Sequence, residues 1–294
     1  MNGKTIKKAA ALFAAAFMVF SVRFVSYAYT YDDTWDVIID ARDEDGIKKE
    51  DAQSYVNSVS VKLKENEGVL SKRKYTEYSK TVIALSAIGE DPSDVCGYDL
   101  LSKLTEFDNV CFQGINGPVW ALLALDAAGS DSSIKEQYIE EILRRELPGG
   151  GWTLTGTAGD PDVDITAMVL QALAGYKMRK DVRPAINRAV KLLSSLQDEN
   201  GGYSSCGDSN SESVSQVIIA LCTLGWSPES YSFTKNGNTA ISNLETFKVK
   251  EGGFCHIKGG CADPIATEQG RLAETAFYRY KEKKSGLYSI GVSK

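Results

Sequence analysis

PGGGWTLTGTAGDPDVDITAMVLQALAGY, residues 148–176, decides the fold. A glycine run and Trp152 lead into a polar loop, and Asp160, Asp162, Asp164 and Thr166 crowd the point where an apolar helix begins. The same event recurs along the chain: a loop with glycine or aspartate, then a helix rich in Ala, Leu, Ile and Val. Aligned on one position, the copies fall at Trp35, Lys80, Trp120, Met168, Gln216 and Gln269, at intervals of 45, 40, 48, 48 and 53 residues. Periods of that size are the mark of repeated helix pairs.

More amphipathic segments lie between these helices, at 51–65, 98–107, 133–147, 182–197 and 238–247. In VRPAINRAVKLLSSLQ, Val182, Ile186, Val190 and Leu193 recur at helical spacing, with Arg183, Arg188 and Lys191 between them. That gives one apolar stripe and one wet face. QVIIALCTLG, by contrast, is apolar nearly all round and must be buried on every side. An inner ring of helices wrapped by an outer ring satisfies both patterns. Gly89, Gly129, Gly175 and Gly225 end the inner helices, with Pro92 and Pro228 close behind two of them. Alternating strand patterns are nearly absent, so the expectation is all-α, in one domain over 29–294.

Residues 1–28 read as a secretory signal peptide. Lys4, Lys7 and Lys8 precede an apolar run, and Ser26-Tyr27-Ala28 supplies small residues for a cut after Ala28. The run is shorter than the ~20 residues a stable membrane span needs, so a secreted or cell-surface location is expected. Losing that segment removes Lys4, Lys7, Lys8 and Arg23 and no anion, which moves the net charge from −6 to about −10. Nucleic acid, which demands basic surface, is excluded as a partner. Of six cysteines, Cys255 and Cys261 flank a short glycine-containing loop, where a local bridge is expected; Cys222 is expected in the core. No metal site is expected, because Cys255, His256 and Cys261 lack the paired spacing of structural zinc sites.

The motif QDENGGY at 197–203, with partial copies GGGW at 149–152 and GGF at 252–254, resembles the prenyltransferase and squalene-oxidase repeat family, which forms α/α toroids. DVDITA at 162–167 is similar to the D-x-D-D-T-A signature of terpene cyclases in that family. SESVSQVIIALCTLG, QGINGPVWALLALD and ATEQG resemble secreted bacterial toroid proteins related to the α-domain of the cobalamin carriers, transcobalamin and intrinsic factor. The resemblance covers roughly residues 31–290 and implies an α6/α6 toroid. Only five outer helices are evident. The sixth should precede Trp35, unless the tail from Ser285 fills its place.

In such a toroid the inner N-termini converge on one mouth, where partial positive charge and free N–H groups suit anionic or carbonyl-rich ligands. One turn before the aligned positions stand Tyr31, Thr76, Asn116, Asp164, Glu212 and Ile265. Helix capping alone accounts for several of these residue types. The resemblance to the cyclases implies Asp164 as general acid, with Asp162 beside it, but the third aspartate is replaced by Ile165. The resemblance to cobalamin carriers matches Val163, Asp164, Ala167 and Met168 and implies ligand contacts from Asp164 and Gln216. The carriers' asparagine is Ser213 here, and their β-domain has no counterpart. The expected site is therefore a binding mouth lined by Asp162, Asp164, Thr166, Asn116, Trp120, Glu212, Gln216, Glu268 and Gln269, without catalysis. Its candidate occupants are a small corrinoid- or isoprenoid-like ligand or another exported or surface protein. Terpene cyclisation through Asp164 and Asp162 is the enzymatic alternative, and a protein-interaction scaffold the third.

Overall fold

Trp152 shows why the glycines precede it. Gly150 and Gly151 take positive φ (91° and 81°), turning the chain so that the indole is fully buried and donates from Nε1 to Ile142 O at 2.8 Å. Thr166 Oγ1 accepts from Trp152 N–H at 3.1 Å, and Asp162 N–H donates to Trp152 O at 2.9 Å. The loop is thus clamped onto the helix it introduces. Asp162 then caps that helix by accepting from Ile165 N–H at 2.9 Å. The same device recurs with Phe254, Thr267 and the cap Asp263, and more loosely with Tyr203 and the cap Asn210.

In the computed structural model, residues 28–156, 158–205 and 207–291 are described. Apart from Ala28, the expected leader lies outside them, as does Cys206. Eleven α-helices occur among the described residues: α1 Thr34–Arg42, α2 Lys49–Glu65, α3 Thr76–Ala87, α4 Phe107–Cys111, α5 Asn116–Ala127, α6 Ile134–Arg144, α7 Val163–Leu173, α8 Val182–Leu196, α9 Ser211–Leu224, α10 Ala240–Glu245 and α11 Pro264–Lys281. The odd-numbered helices pack side by side in chain order, and α11 returns to α1, closing an inner ring of six. The even-numbered helices wrap it, each against the ring. The architecture is an all-α toroid; among the described residues the strands form two short antiparallel pairs, Ser204–Ser205 with Asp208–Ser209 and Thr234–Lys235 with Asn238–Thr239.

Burial follows the patterning. Every residue of α9 from Ser213 to Cys222 is buried, whereas α8 buries Val182, Ala185, Ile186, Ala189, Val190 and Leu193 and exposes its arginines. Two outer elements are shorter than the periodicity predicts. At 98–107 there is a 3-10 turn, Ser102–Thr105, followed by α4. Asp99 accepts from the N–H groups of Leu101 and Ser102, and Ser102 Oγ donates to Asp99 O, so side chains take the backbone bonds a helix would use. At 238–247 only Ala240–Glu245 is α-helical, because Asn236 and Gly237 (φ 50° and 82°) turn a hairpin just before it.

Among the described residues no outer helix covers the join between α11 and α1. That seam is held by Arg271, which bonds Asp36 and reaches Asp40 at 3.1 Å. The tail from Ser285 lies elsewhere, across the end of the ring opposite the clamped loops. Arg42, ending α1, donates to Leu287 O at 3.0 Å and to Gly286 O and Ser285 Oγ at 2.8 Å each, while Gly291 rests on Gly129 just beyond α5. Cys255 and Cys261 do not pair. The Cys255 thiol turns into the core towards Phe247 O (3.2 Å), and Cys261 faces solvent; the other described cysteines are free as well.

Helices α4 and α5 meet at Gly117, where a Cβ would lie 1.8 Å from Val110 O. A Gly117→Ala substitution is expected to cost at least about 2 kcal/mol by forcing the two helices apart. Urea unfolding reads this directly, and an unchanged midpoint would contradict the close packing described.

Candidate functional site

The inner helices start at one end of the ring, and hydrogen bonds tie each start to the next. Tyr31 OH bonds Glu77 at 2.9 Å, linking α1 to α3, and Thr76 N–H donates to Gln113 Oε1 at 3.1 Å, linking α3 to the turn before α5. Ile115 N–H donates to Leu154 O at 3.0 Å, Ser205 Oγ to Asp162 Oδ2 at 3.3 Å, and Ser211 N–H to His256 O at 3.1 Å. Six N-termini therefore converge on one mouth, each carrying roughly half a positive charge.

Just inside the mouth, three consecutive inner helices present oxygens without partners. Asn116 Oδ1 on α5, Asp164 Oδ1 on α7 and Ser213 Oγ on α9 are each buried with no hydrogen bond among the described residues. Leaving such a group unsatisfied costs about 1–3 kcal/mol. Burial pushes the Asp164 carboxyl up to about 6; the Ser213 hydroxyl, close by though short of a hydrogen bond with Oδ1, draws it back, and the charges of Asp162 and Glu212 add smaller upward pushes. Glu212, reaching in from α9, thus supplies part of the negative field that Ile165 cannot. Its own carboxylate is held by His256 Nδ1 at 2.9 Å.

Deeper in, a chain of amides crosses three helices. Gln171 on α7 donates to Gln216 Oε1 at 2.7 Å, Gln216 donates to Gln269 Oε1, and Gln269 donates to Glu268 Oε1 at 3.2 Å. Burial pushes the Glu268 carboxyl up to about 7; the Gln269 amide and Lys80 oppose this, and Asp36 adds to it. Beside these groups the lumen is aromatic. Trp35 and Trp120 meet edge to face at 5.3 Å between centroids, although α3 separates their helices, so the contact spans the lumen. Tyr288 packs beneath, 5.8 Å from Trp120.

The structure sorts the residues singled out in the sequence. Asp164, Asn116 and Glu212 stand together at the mouth, and Trp120, Glu268 and Gln269 line the lumen below. Asp162 serves as a helix cap bonded to Ile165 N–H. Thr166 is fully buried, with its hydroxyl engaged by the Trp152 amide. Gln216 is 8% exposed and spends its amide on Gln171 and Gln269, so it braces the ring. Ile265 points to solvent, and Tyr31 is buried beneath Lys62. Three contributors were missed. Gln171 and Asp36 carry no local signal, being defined by partners on other helices. Tyr288 follows the last repeat, where no periodicity marks it.

Residues 131–224, which run from the start of α6 to the end of α9 and include DVDITA, match the family model of the squalene-hopene cyclase C-terminal domain. No curated protein matches the chain. Among solved structures 26 chains match. One is the unsaturated glucuronyl hydrolase from Bacillus sp. GL1, responsible for the degradation of glycosaminoglycan, at 14% identity and a TM-score of 0.59, over 92% of each chain. At that identity the likeness concerns the fold. Ring, clamped loops and the likeness to a solved toroid together make this chain an all-α, α/α toroid, of which residues 131–224 are similar to the squalene-hopene cyclase C-terminal domain.

Proposed function

We propose that the protein is exported and binds a small, donor-rich ligand at the mouth of the toroid without transforming it. The observation that carries this reading is the set of three unpaired buried oxygens at one level of α5, α7 and α9: Asn116 Oδ1, Asp164 Oδ1 and Ser213 Oγ. All three can accept a hydrogen bond, so the matching ligand offers hydroxyl or amide N–H groups. A saccharide-like or corrinoid ligand meets that requirement. An unfunctionalised isoprenoid would leave the oxygens unpaired and is disfavoured on the same ground.

A second reading has its own support. Asp164, raised to about 6, stands above an aromatic floor, and Glu212 partly replaces the missing third carboxylate. That is the arrangement an acid-initiated reaction on an apolar substrate would use. The two readings part on turnover.

Native mass spectrometry of the protein recovered from its host medium is expected to show a co-purifying small molecule. Asp164→Ala and Asn116→Ala should each weaken its binding by about tenfold or more, the worth of one strong hydrogen bond. Retention of the molecule by both variants would overturn the mouth site. Chemical conversion by the wild type that stops in Asp164→Asn would establish the acid reading instead. N-terminal sequencing of the same material is expected to begin at Tyr29; an intact Met1 would remove export from the proposal.

The raised Asp164 pKa also fixes a stability trend. Between pH 3.8 and about 6 the unfolded carboxyl ionises while the folded one stays protonated, so stability falls as pH rises through that window. Asp164→Asn should therefore unfold at higher urea than wild type at pH 7.5 and at nearly the same urea at pH 3.5. An equal gap at both values would mean that Asp164 titrates normally.

A further inference from the structure

The tail is built into the lumen. Leu287 and Tyr288 are 1% and 3% exposed, although they belong to no helix and lie beyond the last repeat. Two arginines hold the segment. Besides its three bonds above, Arg42 reaches Ser289 O at 3.3 Å, and Arg279 donates to Ser285 O at 2.8 Å, to Ser285 Oγ at 3.1 Å and to Arg42 O at 2.6 Å. Holding two guanidinium groups this close has a cost: burial, with Arg279 nearby, lowers Arg42 to about 10. At the far side the backbones of Gly129 and Gly291 meet so closely that a Cβ on Gly291 would fall 2.5 Å from Gly129 N.

The path is a diameter. In a ring ordered α1, α3, α5, α7, α9, α11, helix α5 stands opposite α11, and the tail leaves α11 and ends against α5. Its midpoint is Tyr288, which reaches up to Trp120, and Trp120 reaches Trp35. Trp35, Trp120 and Met168 sit on inner helices yet are only half-buried. With neighbours on both flanks, their open side is the lumen.

Resting on the mouth reading above, the geometry points to residues 285–291 as the floor of the ligand site, with Tyr288 setting how deep a ligand reaches. The ligand class this fits is amphiphilic. Hydroxyl or amide groups pair with Asn116, Asp164 and Ser213, and an apolar end of limited length stops on the Trp35, Trp120 and Tyr288 rings. Tyr288 is then a positioning residue for specificity.

The floor is tested without a ligand, by acrylamide quenching of tryptophan fluorescence in a Trp226→Phe background. That substitution removes the exposed Trp226 (42%), and Trp152 is inaccessible (0%), so the signal reports Trp35 and Trp120. Tyr288→Leu, and separately a chain ending at Ser285, should raise the quenching constant by about twofold, since each opens the lumen from behind. Lys281→Gln, on the outer surface, should leave it unchanged. No increase in either tail variant would overturn the floor, whatever the mouth binds, and Tyr288→Leu keeps the test open if the shortened chain does not fold. Depth is tested with n-alkyl glucosides from butyl to dodecyl. Wild-type affinity should rise about fourfold per added CH2 and then level off, and in Tyr288→Leu the rise should continue to longer chains. An unmoved plateau would overturn the depth role alone. Failure of every glucoside to bind wild type would overturn the mouth reading and the depth role together, leaving the quenching result to decide the floor.

Discussion

The structure depends on one constraint: helices that are apolar on every side cannot face water on any. In α9, the run Val214, Val217, Ile218, Ile219, Ala220 and Leu221 has no exposed member. At about 25 cal/mol per Å2, exposing one face of such a helix would forfeit several kcal/mol, comparable with the whole stability of an ordinary domain. A single layer of helices cannot bury that surface. Closing six of them into a ring and wrapping the ring with half-apolar helices can, and the alternation of the two kinds along the chain makes the wrap automatic.

Closure creates two weak places, and polar chemistry sits at both. One is the α11–α1 seam, which no outer helix among the described residues covers and which Arg271, Asp36 and Asp40 bridge. These charges are a quarter to a half exposed, so the pairing resists opening by only a modest amount. The other is the lumen. Large side chains fill one side of it, where Tyr288, Trp120 and Trp35 meet edge to face, and an amide chain from Gln171 to Glu268 braces the other. The level of Asn116, Asp164 and Ser213 is left with unmet hydrogen-bonding capacity on three neighbouring inner helices. A fold selected for stability alone would place apolar or self-paired groups there.

How much of this the sequence discloses follows from how local each cause is. The ring is legible because its cause, a repeated pattern of burial, is written in every copy. The clamped loop at Trp152 is legible too, since glycines, aromatic and cap lie within 15 residues of one another. The outer element at 98–107 deceives because Asp99 diverts the backbone, an outcome that apolar spacing does not encode. Thr166 and Gln216 have the right residue types for a site but are consumed by Trp152 and by Gln171 with Gln269, partners 14 and 45 or more positions away. Glu212 supporting Asp164, and Tyr288 under Trp120, are likewise facts of assembly.

The charge balance of the mouth shows which effect prevails there. A carboxylate in the first turn of a helix should be favoured by the dipole, by roughly 0.3–1 kcal/mol. Asp164 occupies such a turn, yet its pKa rises to about 6. Desolvation, with the like charges of Asp162 and Glu212, outweighs the dipole and the nearby Ser213 hydroxyl, and the adjacent amides give no relief: Ile165 N–H is taken by Asp162 and Ser213 N–H by Asn210. The caps that make the helices start cleanly are the same groups that occupy these two amides. A donor arriving from outside the chain would supply the missing hydrogen bond, and a bond to a charged acceptor is worth about 1.5–3 kcal/mol against 0.5–1.5 for a neutral one. On the proposed reading, binding and ionisation of Asp164 would be linked, each favouring the other, and the unmet capacity of Oδ1 would be the source of affinity at the mouth.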